Sequence, residues 1–248
     1  MFTGPIDVHC HLEDPAFDSN RGEVLARARE AGVGAVVTSG LGLEAALKTL
    51  GISDNRFVYP TLGVAPYEPA GYEEVYQLII RERARVVGIG EVGLDYYHGR
   101  AEDRAEQVEV FTRFVRLAQE LGLPLIVHSR SAGRHALDIL FRERAELVVM
   151  HAFDGRSSYA LKAVEKGFFF SIPPSVVRSR QKQKLVKALP LESLLLESDA
   201  PVLGPDPQGV NEPKNIFVSA RAIAEMKRLP EEEVIDCTSR LSRDLFRL

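Results

Sequence analysis

The sequence predicts an α/β protein, a (β/α)8 TIM barrel built as a single domain over residues 1–248. Three observations lead there. Short apolar, β-branched segments recur eight times, amphipathic stretches fill the gaps, and polar residues suited to catalysis fall where the apolar segments end. Strand alternating with helix implies parallel strands joined by crossovers, and eight such units in about 250 residues match a closed barrel.

In chain order the strands are IDVHC near 6–10, GAVVTS near 34–39, FVYPTLG near 57–63 and RVVGIGE near 85–91. PLIVHS near 124–129, ELVVMH near 146–151, GFFFS near 167–171 and SLLLES near 193–198 complete the eight. Most are nearly continuous in apolar residues, as strands covered on both faces are. In RGEVLARAREAG, Val24, Leu25 and Ala28 form one stripe and Gly32 is the expected stop. In AEDRAEQVEVFTRFVRLAQELG, Val108, Phe111, Val115 and Leu117 or Ala118 recur at helical spacing, with Gly122 and Pro124 ending the helix. APVLGPDPQGVNEP, 200–213, is long for a connection and is expected to be a functional loop over the barrel mouth. The remaining residues form two closing helices.

With 45% apolar and 27% charged residues, the chain has an ordinary globular balance. A net charge of −4 argues against a broad electrostatic footprint for nucleic acid but leaves room for a local basic rim. Cys10 and Cys237 make no disulfide framework, which favours a reducing compartment, and Cys10 is expected to serve packing. The opening MFTGPIDVHC lacks the basic and apolar regions of a signal peptide, and no apolar run approaches the ~18 residues of a membrane span. The expectation is a cytoplasmic monomer with no membrane partner.

The chemistry starts in IDVHCHLED, 6–14. Side chains two apart on a strand share a face, so Asp7, His9 and His11 are expected to point one way. Strand four ends in Glu91, strand five in His128, strand six in His151 and strand eight in Asp199. In a barrel those ends share the catalytic rim. Imidazole with carboxylate is a ligand set for zinc, manganese, iron or magnesium. Six ligands exceed what one open catalytic ion needs, which points to two divalent ions. The expected arrangement is His9, His11 and Asp199 at one ion, His128 and His151 at the other, and Glu91 bridging. Asp199 is also the expected general base, and Asp7 is expected behind the ligands, hydrogen-bonding one of them.

DVHCHL at 7–12, GIGEVGLDYY at 88–97, VHSR at 127–130, MHAFDG at 150–155, LLLESDAPVL at 194–203 and NEP at 211–213 together resemble the TatD family of metal-dependent deoxyribonucleases, a group of amidohydrolase-like barrels. The resemblance implies metal ligation by His9, His11, Glu91, His128, His151 and Asp199. It also implies hydrolysis of DNA phosphodiesters, commonly from a 3′ end, with Mg2+, Mn2+ or Zn2+. Ser198 stands where threonine is common, Ala152 where cysteine is frequent, and Pro173-Pro174 where a glycine is expected. For a DNA or short oligonucleotide substrate with a single-stranded 3′ end, Arg130 is the best-placed cation. Arg178 leads the basic stretch RSRQKQKLVK, 178–187, which also holds Arg180, Lys182, Lys184 and Lys187. Tyr96 and Tyr97 are candidates to stack a terminal base, while Asn211 and Lys214 in the last loop are weaker candidates. The alternative is a metal-dependent hydrolase of an amide, lactone or aminoacyl ester, because such barrels change substrate through their loops.

Overall fold

Residues 4–248 are described in a computed structural model; residues 1–3, part of the opening read for signal features, lie outside the described residues. Eight strands pair in parallel and in sequence order: β1 (Ile6–Cys10), β2 (Ala35–Leu41), β3 (Val58–Gly63), β4 (Gly88–Gly93), β5 (Leu125–His128), β6 (Val148–Met150), β7 (Phe169–Ile172) and β8 (Leu194–Leu196). The last strand meets the first through the Asp199 N–H to the His9 carbonyl (2.9 Å) and the His11 N–H to the Ala200 carbonyl (2.7 Å). This is the TIM barrel that the periodicity predicts. Strands β6 and β8 are shorter than expected, because the residues that follow them leave the ladder at the rim.

The helices are α1 (Arg21–Glu30), α2 (Leu43–Ile52), α3 (Tyr72–Arg81), α4 (Arg104–Leu121), α5 (Gly133–Arg142), α6 (Ser157–Val164), α7 (Arg180–Ala188), α8 (Ile216–Lys227) and α9 (Glu231–Phe246). Helix α1 buries Val24 and Ala28 and stops before Gly32, whose φ of +93° suits a residue without a Cβ. Helix α4 ends at Gly122 with φ +62°. Its buried face runs through Phe111, Phe114, Val115 and Ala118, while Val108 lies only partly buried at the flank. The two closing helices are α8 and α9.

Two apolar layers hold the barrel. Outside, the helices pack on the strands. Inside, Ile6, Val8, Ala35, Val37, Ile126, Val149 and Leu195 meet, and α9 adds Leu245 and Phe246. Burial of one such side chain contributes about 1.5–3 kcal/mol. Phe246 also approaches Gly88 at the start of β4, so α9 plugs the N-terminal end of the barrel. The C-terminal end is left for chemistry.

Candidate metal centre

Two strand irregularities aim the central side chains. Asp7 lies opposite Val36 and Cys10 opposite Thr38, so β1 takes three steps where β2 takes two. That extra residue is a bulge, which re-aims the side chains beyond it. Before it, Ile6 and Val8 pack inside the barrel; after it, His9 and His11 face the site and Cys10 packs with the helix-side core. The expected common face of Asp7 with the two histidines is therefore corrected. Asp7 sits with Val36, and its carboxylate accepts hydrogen bonds from the Ser198 N–H (2.8 Å) and the Ser198 hydroxyl, clasping β8 to β1. Strand β4 repeats the device: Ile89 lies opposite Leu125 and Val92 opposite Val127. Both residues pack toward the helices, so Glu91 between them turns inward, where strict alternation would have placed it with Ile89.

Each of the four imidazoles has one nitrogen held away from the centre. The His11 Nδ1 faces the Ser39 carbonyl at 3.0 Å and Glu13 Oε1 at 3.3 Å, both acceptors, so that nitrogen carries the proton. The His151 Nδ1 donates to Glu197 Oε2 at 2.9 Å, and the His128 Nε2 donates to Asp95 Oδ2 at 2.9 Å. The His9 Nδ1 lies 3.0 Å from Ser39 Oγ, which passes to Thr61 Oγ1 and on to the Thr38 carbonyl; this chain ends in an acceptor and makes His9 Nδ1 the donor. Such partners fix ring orientation and tautomer at metal sites.

The opposite nitrogens converge on two carboxylates. The His9 Nε2 is 3.3 Å from Glu91 Oε2 and 3.6 Å from Asp199 Oδ1; for His11 Nε2 the values are 3.4 and 3.7 Å. The His151 Nε2 is 3.7 Å from Glu91 Oε1 and 3.8 Å from Asp199 Oδ1. The His128 Nδ1 contacts Glu91 Oε1. Lone pairs facing lone pairs at these distances need protons or a cation between them. Among the described residues the buried His9 Nε2 makes no hydrogen bond, although Glu91 Oε2 stands 3.3 Å from it. His9, His11 and Asp199 present ligand atoms within 4.8 Å of one another, as do His9, Glu91 and His151. His128 belongs to neither group; its Nδ1 meets the centre only through Glu91. The donor set fits a divalent ion.

The titration behaviour follows from this crowding. Burial alone would lower His128, but the charge of Glu91 and the bonds to Asp95 and Glu91 outweigh it and push the ring up to about 10. His151 is likewise disfavoured by burial yet raised by Glu197, Asp199 and Glu91 to about 9. Glu91 would be raised by burial, and the surrounding imidazoles instead hold it well below the carboxylate range. Asp199 goes the other way: burial raises it. Its backbone is also held at φ +54°, a left-handed conformation that aspartate tolerates better than most residues.

The cavity above these groups measures about 470 Å³ and is also lined by Tyr67, His98, Arg130, Asp154 and Lys182. The Arg130 guanidinium lies over the Tyr97 ring at 4.2 Å. Tyr96, Tyr97 and Arg178 do not line this cavity. Tyr96 packs under Arg104, 4.4 Å from its ring, and against His135; Arg178 donates through Nε to the Gly204 carbonyl at 3.2 Å. Asn211 orients the loop after β8, donating to the carbonyls of Ser198 (2.6 Å) and Val202 (2.8 Å). Lys214 pairs with Glu212. Sequence reasoning missed Asp95, Glu197, Glu13 and Ser39. Asp95 and Glu197 lay inside quoted motifs, four residues after Glu91 and two before Asp199, and a search for carboxylates to orient each imidazole would have found them.

A match to the family described as TatD related DNase covers residues 6–247. The chain belongs to this family. It is 44% identical to the human protein named "Deoxyribonuclease TATDN3", over 98% of this chain and 94% of that protein. To an uncharacterized metal-dependent hydrolase of Methanocaldococcus jannaschii it is 36% identical, over 93% of this chain and 92% of the other. The crystal structure of YJJV, a TatD homolog from Escherichia coli, superposes with a TM-score of 0.89 at 28% identity, covering 98% of both chains. The chain is thus a TatD-family metal-dependent hydrolase on a TIM barrel. Among the described residues, no helix is long and apolar enough to cross a membrane.

Proposed function

We propose that this TatD-family chain hydrolyses phosphodiester bonds of DNA, working inward from a single-stranded 3′ end with two divalent ions. His9, His11 and Asp199 would hold one ion, His128 and His151 the other, and Glu91 would bridge them. The observation that carries this is the convergence of four imidazole nitrogens, each with its partner nitrogen held elsewhere, on the oxygens of Glu91 and Asp199. Ions bound there supply Lewis acidity to the phosphoryl group, a more acidic attacking water and charge for the leaving oxygen.

The protein's own groups do the rest. Asp199, raised by burial, takes the proton of the attacking water, whereas Glu91, held ionised, serves as a fixed anion. Glu197 and Asp95 keep His151 and His128 turned toward the centre. Arg130, backed by Tyr97, meets the substrate anion at the cavity wall. A second groove, lined by Arg156, Arg180 and Lys184, adjoins the cavity at Asp154, which lines both. Three cations lining one groove suit a polyanionic backbone and favour a strand over a small neutral ester. The test is digestion of 3′- and 5′-labelled single-stranded DNA by metal-reconstituted protein. Stepwise loss of the 3′ label is expected; hydrolysis of esters or amides with DNA left intact would contradict the assignment.

A further inference from the structure

The basic stretch at 178–187 contains one lysine in an unusual place. Arg178, Arg180, Lys184 and Lys187 are exposed, whereas Lys182 is 8% exposed. On α7 it shares the buried face with Leu185 and Val186, three and four residues on. The buried face of an amphipathic helix ordinarily carries an apolar residue at such a position. A buried ammonium is costly unless it is paired and hydrogen-bonded.

Its protein partners do not meet that cost. The Lys182 Nζ donates to the Ala152 carbonyl at 2.8 Å, and among the described residues no carboxylate lies within 4.0 Å of it. Glu197, Asp199 and Asp154 act on it only at longer range, and Arg178 opposes them. An ammonium has three donors, and one is used. The side chain lines the cavity that His151, Asp199 and Arg130 also line, and its anchor, Ala152, follows His151 directly. A cation fixed beside the reacting centre with donors to spare is suited to an anion brought in from outside.

We propose that Lys182 is a substrate-contacting residue whose ammonium binds a non-bridging oxygen of the phosphate being hydrolysed. It rests on the phosphodiester assignment above and adds a protein-supplied cation to that site. As a compact point charge on a flexible stem, lysine can follow the phosphate as its geometry changes, where a planar guanidinium would impose one. A purely structural lysine, tying α7 to Ala152, would behave differently on substitution.

The experiment compares metal-loaded wild type, Lys182→Met and Lys182→Arg. Metal content, thermal melting, calorimetric binding of inorganic phosphate and kcat/KM on a 3′-labelled oligonucleotide are measured for each. Lys182→Met is expected to keep its metal and to melt at or above the wild-type temperature, because it relieves a buried charge. Phosphate affinity and kcat/KM should each fall about tenfold or more, and Lys182→Arg should restore part of both. Unchanged phosphate affinity in Lys182→Met, with DNA still cut by the wild type, overturns the lysine assignment alone. Phosphate binding that depends on Lys182, in a wild type that cuts no DNA, keeps the anion site and overturns the substrate.

Discussion

The floor and the rim of this barrel are made by the same strands and differ in everything else. Ile126, Val149, Val37 and Leu195 fill the floor; two residues further along the chain from each stand His128, His151, Ser39 and Glu197. One step of the strand repeat thus separates a dry apolar plug from a cluster of imidazoles and carboxylates. The floor supplies stability, and the rim spends some of it. Like-facing lone pairs at the centre and the buried Asp7 carboxylate, pushed up by burial, oppose folding until protons or cations compensate them.

If that division is right, substitutions in the two layers have opposite signatures. The largest effect is expected for Asp199→Asn at the rim, where kcat on DNA falls roughly 10²–10⁴-fold, the typical contribution of a general base. Its metal-free fold should melt no lower than the wild type in thermal denaturation. On the floor, Leu195→Ala should cost about 2–5 kcal/mol in urea unfolding, yet leave metal stoichiometry intact at room temperature. A Leu195→Ala protein that folds normally but loses metal would merge the two layers and break the comparison. Behind the ligands, Glu197→Gln weakens the hold on His151 and should reduce metal affinity about 10–100-fold.

Acid sharpens the same contrast. In the metal-free protein His128 and His151, raised to about 10 and about 9, hold protons at neutral pH. A ligating nitrogen must be bare, so metal binding expels those protons and apparent affinity rises with pH until both values are passed. Calorimetric titration with Mn2+ at pH 7 in buffers of different ionisation enthalpy should register net proton release; none would contradict the ring assignments. The smallest effect concerns the adjoining groove. Removing the charges of Arg156, Arg180 and Lys184 together should flatten the salt dependence of oligonucleotide binding by about two logarithmic units per decade of salt, with turnover of a dinucleotide unchanged.

The sequence discloses the barrel because strand and helix periods are local properties. It discloses His9, His11, Glu91, His128, His151 and Asp199 as rim residues because each stands within three residues of a strand's C-terminal end. The direction of three of them is another matter. Strict alternation from Asp7 or Ile89 points His9, His11 and Glu91 at the helices, and only the bulges in β1 and β4 turn them inward. A bulge is a relation between neighbouring strands, so the local sequence carries little of it beyond Gly90 beside Glu91. The same holds for Lys182. A basic run does not say which of its five cations turns inward, and only the packing of α7 shows that Lys182 faces the cavity. Tyr96 and Arg178 stand outside the cavity lining for a related reason: position in the chain does not fix the side on which a loop residue lands.

Metal stoichiometry tests the central claim most directly. Stripped protein titrated with Mn2+ or Zn2+ and analysed by elemental assay should take up two ions per chain, and Glu91→Gln should lose at least one of them. A wild type that saturates with a single ion, or a Glu91→Gln variant that still binds two, would contradict a centre bridged by Glu91.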